Sequence, residues 1–288
     1  MYAEYDLEIP EDLEGALAIL ADGDSRATTP LAGGTNLIVD IRGKRERPER
    51  VVALGNIGEL LGLESDSERI SIGARTTVSD LLASAEIAAG APSLIDAAKI
   101  FAGQMVRNTA TVGGNVACGS PAADLVPPLM SLDADVTMTS KSGTRNVALD
   151  DYYFGYKRDA RRPDELLTAI SWPRPTRNTA NSFYKLARRV GDAITVTGVA
   201  VTLSVENGAC AKARIVLGAV SPVVLRAKSA EALLEGETLT PALIDAAAAR
   251  AVDECAPIDD VRASAEYRRH TVETLTRRLV TQAWQALS

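Results

Sequence analysis

The chain opens with alternating apolar and polar residues from Tyr2 to Ile9, the pattern of a strand. Pro10 then opens a helix in which Leu13, Leu17 and Leu20 recur at helical spacing. Glu11, Asp12 and Glu14 complement the dipole of its first turn, and Asp22-Gly23-Asp24 ends it. A short strand is expected before the turn Leu31-Ala32-Gly33-Gly34-Thr35-Asn36-Leu37, with apolar residues continuing through Ile41. Val51 to Leu54 and Arg69 to Ala74 read as strands, and Thr77 reads as the cap of a helix whose apolar stripe is Val78, Leu81, Leu82 and Ala85. A second helical run from Ser93 to Ile100 leads into Phe101 and a second glycine turn, Thr111-Val112-Gly113-Gly114-Asn115. Further on come a short proline-opened helix near Val126, a strand from Asp135 to Thr139 with a hairpin through Gly143, and an apolar strand from Leu166 to Ile170; Met130 and Met138 read as core residues.

Trp172 to Asn178 holds two prolines in a polar stretch and is the best linker candidate, which places a boundary near residue 176. Beyond it the pattern changes. Ser182–Arg189, Thr195–Val205 and Ala211–Ala219 read as three strands in meander order, with Asn207-Gly208 as the hairpin turn. The helices Ser229–Leu234, Pro241–Cys255 and Ala263–Leu287 close the chain, the last with Val272, Leu275, Leu279 and Trp284 facing a core. The expected fold is therefore α+β: an N-terminal domain over 1–176, divided near residue 56, and a C-terminal domain over 177–288 with a three-stranded antiparallel sheet and helices.

The two glycine turns are the chemistry-bearing stretches. Adjacent glycines let backbone N–H groups converge on one anion, and two such turns together suit a diphosphate. Neither turn matches G-x-G-x-x-G, and no G-x-x-x-x-G-K-[ST] occurs, which disfavours a Rossmann site and a P-loop. The basic stretch Arg42 to Pro48 reads as an exposed turn rather than as a phosphate site.

Composition narrows the chemistry. A hydrophobic fraction of 46% with 24% charged residues is that of an ordinary globular protein, and no apolar run nears the ~18 residues of a membrane span. The acidic start lacks the regions of a signal peptide, so a cytoplasmic location is expected. A net charge of −7 argues against nucleic acid as a partner. Cys118, Cys210 and Cys255 are too scattered for a disulfide framework, a metal site or an iron–sulfur cluster, and a single histidine, His270, excludes a His-based triad or multi-His metal site within the chain. No catalytic residue and no metal ligand is expected; chemistry requires a cofactor.

The chain resembles the FAD-binding medium subunit of the molybdenum hydroxylases, the group containing carbon monoxide dehydrogenase, xanthine dehydrogenase and nicotine or quinoline hydroxylases. The resemblance rests on Leu31 to Leu37, Phe101 to Asn108, Thr111 to Asn115, Ser120 to Asp124 and Tyr184 to Asp192, in the family's order, and spans essentially the whole chain. It implies paired α/β subdomains clasping FAD, followed by a smaller α+β domain. It implies that Leu31, Ala32, Gly33, Gly34, Thr35, Asn36 and Leu37, with Thr111, Val112, Gly113 and Gly114, line the pyrophosphate and ribityl chain. Asn115 and Asp124 would add polar contacts, Phe101 an apolar one, and Leu167 and Lys185 would flank the isoalloxazine. On the residues alone, Phe101 equally suits a core aromatic, Asp124 a helix cap near Leu125, and Lys185 a solvated strand end. Several members carry an aromatic residue after the Gly-Asp of the C-terminal motif; this chain has Ala193 after Gly191-Asp192, a departure that bears on flavin shielding.

The function so implied is electron relay. FAD would accept electrons from a small iron–sulfur subunit, with the molybdopterin cofactor on a large molybdenum subunit and the 2Fe-2S clusters also on partner chains, the whole a dimer of heterotrimers. A stand-alone FAD-dependent oxidase would need a substrate pocket and a base beside the flavin, for which the residues offer no obvious candidate. An assembly subunit that has lost FAD would leave four glycines in two turns without a reason.

Overall fold

The computed structural model describes residues 4–22 and 27–287. The first residues of the expected opening strand, and Gly23 and Asp24 of the expected helix stop, lie outside the described residues. The N-terminal lobe is a small parallel sheet of β1 (Asp6–Glu8), β2 (Thr28–Leu31) and β3 (Arg50–Ala53), with β3 in the middle. Its helices are α1 (Leu13–Leu20) and α2 (Leu37–Arg42). The Asp12 carboxylate caps α1 by accepting from Gly15 N at 2.7 Å, which is why the helix starts after Asp12 rather than at Pro10. Ala16, Leu17, Val52, Leu54, Ile57 and Leu60 form the core of this lobe and meet Leu166 of the next.

The second lobe contains β4 (Leu63–Ser65), β5 (Arg69–Gly73), the helices α3 (Val78–Ala83), α4 (Ala85–Gly90), α5 (Pro92–Lys99), α6 (Gln104–Arg107), α7 (Val112–Ala117) and α8 (Val126–Ser131), then β6 (Asp135–Ser140), β7 (Gly143–Ala148), β8 (Tyr153–Gly155), β9 (Arg158–Asp159) and β10 (Leu166–Pro173). Its sheet has the order β4-β5-β10-β6-β7 and is antiparallel throughout. The pairing of β10 with β6 slips at Thr168, next to Leu166 and Leu167, a bulge of the kind that re-aims side chains beside a site. Thr77 caps α3 as expected and forms a reciprocal capping box with Asp80. The single helix expected from Thr77 is broken, however. Ser84 leaves helical geometry and caps α4 by accepting from Ile87 N, so Leu82 and Ala85 face solvent while Ile87 is buried.

The C-terminal part begins with β11 (Thr179–Ala187), β12 (Thr195–Glu206), β13 (Ala209–Gly218) and β14 (Leu225–Arg226), an antiparallel sheet in that order. The two-residue β14 adds a fourth strand to the expected three. The helices α9 (Lys228–Leu234), α10 (Pro241–Asp253) and α11 (Ala265–Leu287) cover one face, burying Val272, Leu275 and Leu279, with Trp284 packed at the edge. The other face lies on α5 and α8, so Phe183, Ala200 and Val216 join the core that contains Leu94, Leu129 and Met138. The near-continuous burial of β12 from Thr195 to Leu203 follows from this covering on both faces. Trp172, expected at the start of the linker, is instead fully buried in β10.

Candidate functional site

A cleft of about 710 Å³ opens where the N-terminal lobe, the second lobe and the start of the C-terminal sheet meet. This is within the range of about 300–1,000 Å³ common for small-molecule and cofactor sites. It is lined by Leu31, Ala32, Gly33, Gly34, Thr35, Asn36, Leu37, Phe101, Thr111, Gly113, Gly114, Asn115, Asp124, Leu167 and Lys185. The fold thus brings together all the residues singled out in the sequence except Val112, whose side chain is fully buried in the core of the second lobe.

The two glycine turns touch. A Cβ on Gly33 would lie 1.8 Å from the carbonyl oxygen of Thr109, so only glycine lets the first turn seat against the entry of the second. A Cβ on Gly113 would lie 2.7 Å from both the Cβ and the carbonyl oxygen of Ala74. Packing against protein backbone therefore obliges these glycines before any ligand is considered. That removes the argument that glycines in both turns require a diphosphate.

The turns differ in where their N–H groups go. In the second, Val112 N donates to Thr76 O, Gly113 N to Ala74 O and Asn115 N to Thr111 O, each at 2.9 Å, and Gly114 N donates to the Thr111 hydroxyl at 3.0 Å. This turn is the capped start of α7, sewn to the β5–α3 connection, and its amides are not an open cradle. The expectation of converging donors from both turns is corrected on this point. In the first turn, the N–H groups from Gly33 through Leu37 have no acceptor among the described residues. These residues line the cleft, half-exposed or exposed at the start of α2, so their N–H groups are open to water or to an anionic ligand.

Elsewhere in the lining, Lys185 of β11 donates to Asp124 Oδ2 at 2.7 Å, and the Thr195 hydroxyl donates to Asp124 Oδ1 at 2.5 Å. The two side chains are 5% and 11% exposed, so Lys185 is not a solvated strand end, and Asp124 is not a helix cap. Burial pushes the Asp124 carboxyl up, against the pull of Lys185 and Thr195. Both carboxylate oxygens are occupied, whereas the Lys185 ammonium has donors without a partner among the described residues. Asn115 Oδ1 accepts from Leu125 N at 3.1 Å, which ties α7 to the segment carrying Asp124. Phe101 packs on the core, as one reading of it expected, and also lines the cleft.

Sequence reasoning missed Asp40, Glu46, Arg75, Cys118, Lys157, Arg161 and Ile194, which also line the cleft. Arg75 is engaged with Ile57 O at 2.7 Å and Arg161 with Asp159 and Ala117 O. Burial pushes the Cys118 thiol up, so it is not a poised nucleophile. Ala193 and the half-exposed Ile194 stand at the mouth, where no aromatic side chain follows Asp192.

One cleft thus joins a turn with open backbone donors to a buried ammonium, an arrangement that can receive a partly anionic ligand. Residues 3–175 match the model of the FAD-binding domain in molybdopterin dehydrogenase, and residues 182–283 match the carbon monoxide dehydrogenase flavoprotein C-terminal domain. The chain is 36% identical to the carbon monoxide dehydrogenase medium chain of Afipia carboxidovorans, over 97% of this chain and 96% of that relative. It is 29% identical to the xanthine dehydrogenase FAD-binding subunit of Escherichia coli O157:H7, over 94% and 93% of the two chains. Among solved structures, a chain of the carbon monoxide dehydrogenase from Hydrogenophaga pseudoflava superposes with a TM-score of 0.95 at 30% identity, covering 100% of both chains. The chain belongs to the family of FAD-binding medium subunits of the molybdenum hydroxylases, oxidoreductases whose named members are chains of multi-subunit dehydrogenases. Among the described residues no helix is long and apolar enough to cross a membrane.

Proposed function

We propose that this chain holds FAD as the electron-relay centre of a molybdenum hydroxylase, between a small iron–sulfur subunit and an external acceptor, with the molybdenum cofactor on a large subunit. The assembly is a dimer of such heterotrimers, in the cytoplasm. The observation that carries the reading is the run of unpartnered N–H groups from Gly33 through Leu37 along a cleft of about 710 Å³.

FAD bound in the cleft supplies a centre that takes up and gives off electrons singly or in pairs. The first glycine turn holds the diphosphate through backbone donors, where charge-assisted bonds contribute about 1.5–3 kcal/mol each. The hydroxyl of Thr35 and the Nδ2 of Asn115, which have no partner among the described residues, add polar contacts. The second turn acts as a rigid wall: Thr111, Gly113 and Gly114 offer shape and Val112 anchors it in the core. Leu167 and Phe101 exclude water from the ring, and Lys185, steered by Asp124, offers an ammonium to its accepting atoms. No side chain here acts as a general acid or base toward an organic substrate, because that oxidation occurs on the large subunit.

The test is an absorption spectrum of the purified chain with whatever accompanies it, before and after heat release of bound flavin, beside a gel of the partners. FAD bands with two companion chains and iron–sulfur absorbance are expected. FAD with a lone homo-oligomer contradicts the relay, and a colourless chain that takes up no added FAD contradicts the flavin site.

A further inference from the structure

Asp40 joins three walls of the cleft at the end nearest the first glycine turn. It lies on α2, four residues after Asn36, and its side chain is 7% exposed. Its Oδ2 accepts from Asn36 Nδ2 at 2.9 Å, which fixes the last side chain of the turn before α2. Its Oδ1 accepts from Arg45 Nε at 2.7 Å, which folds the basic turn back onto the helix. The remaining partner comes from the other lobe: Lys157 Nζ lies 3.3 Å from Oδ2 across a sequence separation of 117 residues.

Lys157 sits at the tip of the β8–β9 hairpin, with φ +52°. That hairpin is fastened to the end of α7. The Tyr153 hydroxyl donates to Val116 O at 2.7 Å, Arg161 donates to Ala117 O at 3.2 Å, and Lys157 N donates to Gly119 O at 3.4 Å. Gly119 is required there, because a Cβ would lie 2.9 Å from Lys157 Cα. A rigid hairpin on the second-turn side of the cleft thus extends one lysine to the helix that follows the first turn, and Lys157, Asp40 and Asn36 all line the cavity between them. Burial opposes ionisation of Asp40, but Arg45 and Lys157 outweigh it and hold the carboxyl below its ordinary range, so the bridge stays charged at neutral pH.

We infer that the Lys157–Asp40 pair is a retention latch for the cofactor, spanning the cleft beside the first glycine turn so that its opening sets the rate at which FAD leaves. This rests on the proposed function. A bridge with one buried and one partly exposed partner contributes modestly and is screened by salt, which suits a contact that opens and closes. Arg45 shares the carboxylate but stays on its own lobe, so its loss weakens the hold on Asp40 and leaves the bridge across the cleft in place.

The test is the rate of FAD release, followed by flavin fluorescence, from the full chain loaded with FAD, for the parent and for Lys157→Ala, Asp40→Asn, the double variant and Arg45→Ala. Lys157→Ala and Asp40→Asn are each expected to release FAD about fivefold faster. The double variant should be no faster than either, and Arg45→Ala, which keeps the bridge across the cleft, should fall between the parent and Lys157→Ala. The parent rate should rise with ionic strength and that of Lys157→Ala should not, while the flavin absorption bands stay unchanged throughout. Release from Lys157→Ala at the parent rate overturns the latch. So does faster release from Lys157→Ala with slower release from Asp40→Asn, the result expected if Lys157 instead binds the diphosphate directly. A parent chain that takes up no FAD removes the functional reading and the latch together, whereas loading with unaltered release in the variants removes the latch alone.

Discussion

The two glycine turns share a Gly-Gly pair, and each is followed by a short helix and an Asp–Lys bridge, yet the structure uses them differently. After the first, the backbone donors are left open, and Asp40 is held in its charged form by Arg45 and Lys157. After the second, every backbone donor from Val112 to Asn115 is spent on Thr76, Ala74 and Thr111, and Asp124 is pushed toward its neutral form by burial although Lys185 touches it. The likeness of the motifs therefore concerns sterics, since Gly33 and Gly113 both permit close backbone approach. Their difference concerns hydrogen bonding. A glycine pair marks where a chain must pass close to something; the carbonyls nearby decide whether that something is protein or ligand.

The shared steric role can be broken most severely. Gly33→Ala and Gly113→Ala both drive a methyl into main-chain atoms or Ala74, and each is expected to lower the melting temperature by about 10 °C or more, measured by calorimetry. A next effect of about 3–5 kcal/mol is expected from Asp124→Ala, which leaves the Lys185 ammonium buried without its carboxylate; denaturant unfolding measures it. The difference between the turns sharpens in a smaller pair. Thr35→Ala should weaken FAD binding about tenfold without changing the melting temperature of the free chain, because its exposed hydroxyl has no protein partner. Thr111→Ala should do the reverse, costing about 1 kcal/mol of stability through the lost cap on α7 and leaving FAD affinity nearly unchanged.

The smallest effect is in pH dependence, and its sign differs between the two bridges. Asp40 has a lowered folded value, so its contribution to stability is present above the unfolded carboxylate range near ~3.9 and lost as pH falls through the lowered value. Asp124 has a raised folded value, so its contribution is complete below ~3.9 and lost as pH rises through the raised value. Carboxyl NMR titration should place Asp40 below and Asp124 above that range; the opposite order contradicts the assignment of their partners.

Local signals carried much of the fold. The Thr77 cap, the Asn207-Gly208 hairpin and the apolar face of α11 depend on neighbours in sequence and were legible there. A signal for α7 is also present, with Thr111 preceding Val112 and Val116, but the adjacent glycines carry the competing signal of an open loop. What was not legible depends on distant partners. The acceptors of Val112 N and Gly113 N, Thr76 and Ala74, lie about forty residues upstream, the buried setting of Lys185 requires Asp124 and Thr195, and Lys157 reaches the cleft only because Gly119 admits a hairpin tip. The two sides of residue 176 are similarly joined, because one buried cluster holds Ile72, Met138 and Ile170 of the second lobe together with Phe183, Ala200 and Val216 of the C-terminal sheet.

On this reading the first turn, and not the second, supplies the backbone donors to the cofactor. Amide hydrogen exchange of the full chain with and without FAD, resolved to single residues by NMR, tests it most directly. The amides from Gly33 through Leu37 are expected to exchange rapidly in the free chain and to become protected when FAD binds, while those from Val112 through Asn115 are protected in both states. Protection gained at Val112 through Asn115, with none gained at Gly33 through Leu37, would contradict it.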